Sequence, residues 1–404
     1  MTDTVIIGGG AAGLMTAVKL KEISPKSEVT VLESGDRVGK KLLVTGNGRC
    51  NISNVQLNAS RYHGDCDFAE RIINNFDFDA QKSFFGSLGV LFCELEEGKV
   101  YPKSLQAGSV VDALRFRAEE LGVKIVLNTK VTEVKRSADG FSVLASGKKT
   151  VCRTVVVATG GQAGGKLGSC DGYTILKSMG HKIEKVFPSI VQIKTTPEIV
   201  RQLKGIKVMA NVTLSSKIGT RTEFGEVLFC DYGLSGPPVL QVSRFAEGEE
   251  ATISLDILPD MTETEIKTEI LRRADAFGNR PLGELFIGFL NKRLGQVVLK
   301  SLGLEINSQC QEITEKTAEK IAVTLKNWRF KVTGTTGFEN AQVTAGGAQT
   351  AQFFDSCMSK KAKGLFAVGE VLNVDGDCGG FNLAFCWASG FAAAEELKDY
   401  LEKC

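Results

Sequence analysis

Apolar residues open the chain as a short closed run, Val5-Ile6-Ile7, with no polar position inside it. Such a run predicts a strand buried on both faces, as in a parallel sheet. Gly8-Gly9-Gly10 then turns the chain, and Ala11 to Ile23 carries apolar residues such as Leu14, Ala17 and Val18 at helical spacing. Val29 to Glu33 is a second strand. Strand, turn, helix and strand within about thirty residues make a βαβ unit. Farther on, the pattern predicts helices over 79–88 and 105–121, a strand over 124–131, and a hairpin of 131–134 with 141–144 around Ala138-Asp139-Gly140. Val155 to Ala158 is another buried strand. Residues 191–257 hold short β-like segments separated by Gly and Ser, and 262–330 are helical in pattern and richer in charge. The apolar strand 365–368 returns to the style of the first segment, and a helix follows over about 381–397, with Leu383, Ala384, Trp387, Phe391 and Ala394 on its periodic face.

A chain of 404 residues exceeds one ordinary core, and its composition, 43% hydrophobic and 24% charged, is that of a globular protein. Lys+Arg 49 against Asp+Glu 47 leaves a net charge of +2, which argues against nucleic acid or an anionic membrane as main partner. The 11 Cys are scattered with no Cys-x-x-Cys, so neither a disulfide scaffold nor a Cys-rich metal site is expected. The amino terminus has no basic leader, and no apolar run is long enough for a bilayer. The expectation is a cytoplasmic protein with a small-molecule substrate; the oligomeric state is not legible.

Gly8-x-Gly10-x-x-Gly13 follows a strand and opens a helix, and Glu33 stands at the end of the second strand, twenty positions past Gly13. This is the dinucleotide fingerprint in its proper context. The first Gly permits the turn, the second admits the pyrophosphate, the third lets helix and strand approach, and Ala12 lies in the same turn. The carboxylate accepts ribose hydroxyls and disfavours a 2′-phosphate. Three features point to FAD rather than NAD. One is the Gly- and Asn-rich path after Glu33, carrying Ser34, Lys40, Lys41, Thr45, Gly46 and Asn51. Another is the small-residue strand end Thr159-Gly160. The third is the strand ending in Gly369-Glu370, before Gly380-Phe381-Asn382-Leu383. The helix that starts there would turn its positive end to the flavin and stabilise negative charge on it. No second dinucleotide fold is encoded, so NAD(P)H, where used, docks transiently at the flavin.

The run Lys40-Lys41-Leu42-Leu43-Val44-Thr45-Gly46-Asn47-Gly48-Arg49-Cys50-Asn51 resembles the signature of the BaiN/YhiN-like family of NAD(P)/FAD-dependent oxidoreductases. Tyr232-Gly233-Leu234-Ser235-Gly236-Pro237, Val343-Thr344-Ala345-Gly346-Gly347 and Met358-Ser359-Lys360-Lys361 extend the resemblance along the chain. It implies an α/β fold: a Rossmann-like FAD-binding domain of three layers, β/β/α, interrupted by a β-barrel-like insert and a small helical subdomain. The expected spans are 1–190 with 335–404, 191–260, and 261–334. It also implies FAD contacts at Lys41, Gly46, Val131, Glu370, Asn382 and Leu383, with Val131 serving the adenine through its backbone. The chain departs from the pattern at Asp231, where the family often has His, and at Gln352, where an acid is common; both fall in segments expected near the insert–flavin boundary.

A flavin performs the redox step itself, and the protein supplies orientation and protons. Tyr101 and Tyr232 are the candidate proton donors, and His181 reads as a helix cap. With 2 His in all, no His-based metal site or Asp-His-Ser triad is expected. Three functions stay open: NAD(P)H-driven reduction of a conjugated C=C bond in an enone, steroid-like substrates included; oxidation of a small amine of the aminoacetone type by oxygen; and FAD-linked binding or modification of RNA.

Overall fold

The computed structural model describes residues 2–403. The chain forms two compact units, residues 1–188 with 342–404, and residues 189–341.

The first unit is built on a seven-stranded sheet. Thr2–Ile7 lies parallel between Val29–Leu32 and Lys148–Val157; Lys124–Val126 extends one side, and Leu365–Ala367 runs parallel to Lys148–Val157 on the other. Val5, Ile6, Val155, Val156 and Val157 are fully buried. Each such side chain contributes roughly 1.5–3 kcal/mol, and this is why the strands read as unbroken apolar runs. Thr4 and Thr154, also buried, satisfy each other through their hydroxyls at 2.9 Å. Helices Ala11–Ile23, Ala107–Glu120 and Phe381–Lys403 supply the α layer, the first packing against both others. Val131–Ser137, Gly140–Ala145 and the first half of Lys148–Val157 form an antiparallel meander, the extra β layer. The expected three-layer β/β/α fold is therefore present.

Local boundaries differ from the sequence reading where tertiary bonds intervene. The expected strand over 124–131 stops at Val126. Asn128 takes a left-handed φ of 51°, and the N–H groups of Asn128 and Thr129 bond the carbonyls of Gly35 and Glu33. The segment is diverted to hold the turn after the second strand. The last helix runs to Lys403, past the expected end near 397, because no Gly or Pro interrupts its charged tail. Two helices had no sequence expectation, Lys40–Val44 and Cys66–Asn75.

The second unit contains a closed barrel of Ile193–Thr195, Gly233–Ser235, Gly219–Phe229, Lys207–Ser216, Thr252–Asp256 and Trp328–Thr335. Val212, Leu214, Val227, Phe229, Ile253 and Leu255 alternate into its buried core. Helices Glu263–Phe277, Lys292–Ser301 and Glu315–Lys326 complete the unit. The division expected at 260/261 needs correction. Trp328–Thr335, assigned by composition to the helical part, is the strand that closes the barrel between Thr252–Asp256 and Ile193–Thr195. Three helices dominate the composition of 261–334 and mask it.

Candidate functional site

All the residues expected to hold the cofactor fall in the first unit. At the glycine turn, a Cβ on Gly13 would stand 2.0 Å from the Gly8 carbonyl oxygen, and one on Gly8, whose φ is +107°, would stand 2.5 Å from that of Ala158. Neither position has room for a side chain. A Cβ on Gly10 would meet nothing within 4 Å. That open space precedes helix Ala11–Ile23, whose Gly10 N-cap has no side-chain hydrogen bond, so the first N–H groups of the helix keep their capacity for an anion.

Glu33 ends the neighbouring strand with both oxygens engaged. Oε2 accepts from Gly9 N at 2.8 Å; Oε1 accepts from Gly35 N at 2.7 Å and from Ser34 Oγ at 3.3 Å. A carboxylate offers about four lone-pair sites. One ribose hydroxyl therefore finds a free site on Oε2, and a second must displace Ser34. The Lys40 ammonium ion-pairs with Asp36 at 2.6 Å, and a Cβ on Gly35 would sit 3.1 Å from it. Val131 is buried and paired with Ala145, just past the diverted segment.

The carboxy-terminal residues meet this amino-terminal turn directly. A Cβ on Gly369 would fall 2.9 Å from Ala12 Cβ. Beside it, Glu370 Oε2 accepts from Lys41 Nζ at 2.6 Å and Oε1 from Thr344 N at 2.8 Å. Gly160, at the strand end next to Thr159, presents its Cβ position 3.7 Å from Glu370 Oε2. The Thr159 hydroxyl bonds the Gly160 carbonyl at 3.4 Å.

The signature loop is docked onto the start of the last helix. Asn54 Nδ2 donates to Gly379 O at 2.9 Å, Trp387 Nε1 to Ile52 O at 2.9 Å, and Tyr62 OH to Phe381 O at 3.0 Å. A Cβ on Gly380 would stand 2.9 Å from Asn51 Oδ1. Asn382 spends its amide on its own turn, accepting from Gly376 N and donating to Gly376 O, both at 2.8 Å. Phe381 is buried against Tyr62, and Leu383 is half-buried. Any ligand contact from Phe381 or Asn382 therefore comes from the backbone at the helix start. Thr45 bonds the Leu42 carbonyl at 2.7 Å, and Gly46 and Asn47 are left-handed, with φ of 55° and 56°.

Of the two tyrosines, Tyr101 belongs to this unit. Its ring packs where a Cβ on Gly46 would meet it at 3.1 Å, with the Arg49 guanidinium 5.0 Å from the ring centre. Its hydroxyl has no hydrogen-bond partner among the described residues. Tyr232 belongs to the second unit; burial pushes its acidity constant up, and the Cys230 thiol adds to the shift.

His181 closes the helix before it, its N–H bonding the Leu176 carbonyl at 2.9 Å, and its ring is buried and stacked on Phe353. Ser359 Oγ accepts from Lys361 N and Ala362 N and therefore donates to His181 Nε2, at 2.9 Å. Burial, then the Lys361 charge, lowers the imidazole from its ordinary 6.5 to about 4. Gln352 and Asp231, the two departures from the family pattern, both have structural partners. Gln352 accepts from Lys182 N at 3.0 Å and donates to Lys182 O at 3.3 Å, which a carboxylate could not do. Asp231 pairs with Lys204 at 2.7 Å in the second unit. One pair escaped the sequence reading: His63 Nε2 stands 2.9 Å from Asp377 Oδ1, joining residues 314 apart.

Comparison with known proteins agrees with this geometry. The HI0933-like protein Rossmann domain family matches residues 2–396. The 3-dehydro-bile acid delta(4,6)-reductase of Clostridium scindens is 35% identical over 397 residues, covering 96% of this chain and 97% of its own. The ribosomal RNA dihydrouridine synthase of Escherichia coli is 30% identical over 410 residues, covering 98% of each. Among solved structures, a variant of the E. coli quinol fumarate reductase FrdA superposes with a TM-score of 0.51 at 14% identity, covering 99% of this chain and 70% of that one, a likeness of fold. The open space at Gly10, the oriented Glu33 and the junction of both chain ends at Glu370 fit an extended dinucleotide, and the chain belongs to the HI0933-like family as an FAD-dependent oxidoreductase.

Proposed function

We propose that this chain reduces a C=C bond conjugated to a carbonyl, with NAD(P)H as electron source and FAD as the carrier. The observation behind the site is the meeting of the glycine turn with Gly369-Glu370, through Ala12 and through Lys41 at 2.6 Å. The choice of a C=C bond follows the bile-acid reductase to which the chain is 35% identical.

Bound FAD supplies hydride transfer. The protein's own parts then have separable tasks. The N–H groups at the start of helix Ala11–Ile23 bind the pyrophosphate, Glu33 orients the ribose, and Lys41 with Glu370 holds the ribityl chain. The start of helix Phe381–Lys403 stabilises negative charge on the cofactor. When hydride adds to the β-carbon of an enone, the α-carbon needs a proton. Tyr101 is the donor we favour, because its hydroxyl is uncommitted and its ring touches the Gly46 turn. Tyr232, with its acidity suppressed by burial, stays a phenol across the neutral range and is the alternative.

The relative named for dihydrouridine synthesis supports a second substrate class for the same chemistry. The C5=C6 bond of uracil is conjugated to a carbonyl, so its reduction follows the same polarity as that of an enone. The net charge of +2 offers little general attraction for phosphate, which keeps RNA second.

Anaerobic stopped-flow tests the proposal. NADH or NADPH should bleach the flavin, and a conjugated steroid enone should restore its colour; restoration by ribosomal RNA instead selects the second substrate. Failure of both nucleotides to bleach, or substrate-dependent peroxide from a small amine in air, would overturn the reductase reading.

A further inference from the structure

Asp377 sits in the turn that leads into helix Phe381–Lys403, and its carboxylate is 3% exposed. The turn does not need a charge to hold it. Asp377 N donates to Arg61 O at 2.8 Å, Asn54 binds Gly379, and Asn382 clamps Gly376. Burying a carboxylate costs several kcal/mol unless it is paired. Its partners come from the strand Tyr62–Gly64 and the residue before it. His63 Nε2 is 2.9 Å from Oδ1, and Arg61 is 3.7 Å from Oδ2. Tyr62–Gly64 is itself paired with Val374–Gly376, so turn and partners share one small sheet.

The remaining charged and titratable groups around this cluster can be named. Asp375 is opposite His63 in the register and buried. Asp65 follows on the same chain segment and caps helix Cys66–Asn75. Cys378 is kept as a neutral thiol by burial, and the Glu97–Lys99 ion pair acts on it. Arg61 is permanently charged. Histidine is the side chain suited to change charge near neutrality, so the charge of the cluster follows the His63 proton.

We propose that His63 and Asp377 form a proton-linked charge pair for the flavin. His63, 22% exposed, takes up one proton from solvent as negative charge develops on the cofactor at the helix start, and releases it as that charge leaves. The two electrons come from the reductant and leave to the substrate; His63 moves only the proton. This rests on the reading of Gly376–Leu383 as the flavin-facing segment. His63 acts through the field of the turn and is a positioning residue.

The test is a spectroelectrochemical titration of the flavin midpoint potential against pH in the wild-type holoenzyme, H63Q and D377N, after flavin stoichiometry has been measured for each. The wild type should show a range in which its potential falls more steeply with pH than that of H63Q, by up to about 30 mV per pH unit, the two-electron equivalent of tenfold. In D377N, which loses the anion that favours the imidazolium, that range should move to lower pH. Parallel pH dependences in wild type and H63Q would overturn the proposal. Should H63Q fail to hold flavin, D377N decides the matter by its shift; loss of flavin from both variants would show the pair to be structural and would equally overturn it. A folded wild type without flavin would defeat the cofactor reading first, and the stoichiometry reports that separately.

Discussion

Lys41 Nζ stands 2.6 Å from Glu370 Oε2, a bond between residues 329 apart in sequence. It closes the loop from the amino-terminal signature to the carboxy-terminal strand end, with side chains 29% and 15% exposed. An ion pair so placed is worth more than an exposed one, where the median is about 0–1 kcal/mol. Lys41→Met and Glu370→Gln should each weaken FAD binding by about tenfold or more, which is 1.4 kcal/mol. A double-mutant cycle on FAD affinity should return a coupling of about 0.5–3 kcal/mol. Additive losses would mean that the two side chains serve the cofactor independently.

The glycine turn separates folding from binding. Gly13→Ala drives a Cβ to within 2.0 Å of the Gly8 carbonyl, so both thermal stability and flavin should be lost. Gly10→Val meets no protein atom near its Cβ, and φ at Gly10 is −83°, ordinary for any residue. This variant should melt near the wild type in the absence of FAD, yet bind FAD at least about 100-fold more weakly, roughly 2.8 kcal/mol. Calorimetry of the apoproteins and flavin fluorescence titration check the two halves.

The proton donor is tested by two phenylalanine variants. Tyr101→Phe should retain FAD and be reduced normally, while the reoxidation of reduced flavin by an enone slows by about 10²–10⁴-fold. Tyr232→Phe should slow that step far less. The reverse ranking would assign the role to Tyr232.

His181 makes stability depend on pH. Its folded value of about 4 lies below its ordinary 6.5, so the unfolded chain binds the extra proton first. The neutral ring's contribution is complete above pH 6.5 and is lost progressively as pH falls toward 4, with a total on the order of 2–3 kcal/mol. Denaturant midpoints should therefore drop less between these pH values in His181→Gln than in wild type. Equal drops would remove His181 as a cause of acid lability.

Much of this architecture is legible in the sequence, for local reasons. Val5-Ile6-Ile7, the glycine spacing and Ala11–Ile23 are governed by burial, backbone room and helical period within one short stretch, and that helix begins and ends where its pattern says. Glu33 is legible because the fingerprint sets its distance from Gly13. Two kinds of feature are not. Trp328–Thr335 has no local contrast with the helices before it and becomes a strand by closing a barrel. His63–Asp377 and Gln352–Lys182 are long-range polar pairings, and nothing in spacing or period marks their partners.

The most direct measurement is the flavin content of the purified chain. Denaturation should release FAD in a ratio approaching one per chain, and the apoprotein should regain its colour on adding FAD, while Gly10→Val should not. A properly folded wild-type protein that is colourless and takes up no FAD would contradict the account at its base.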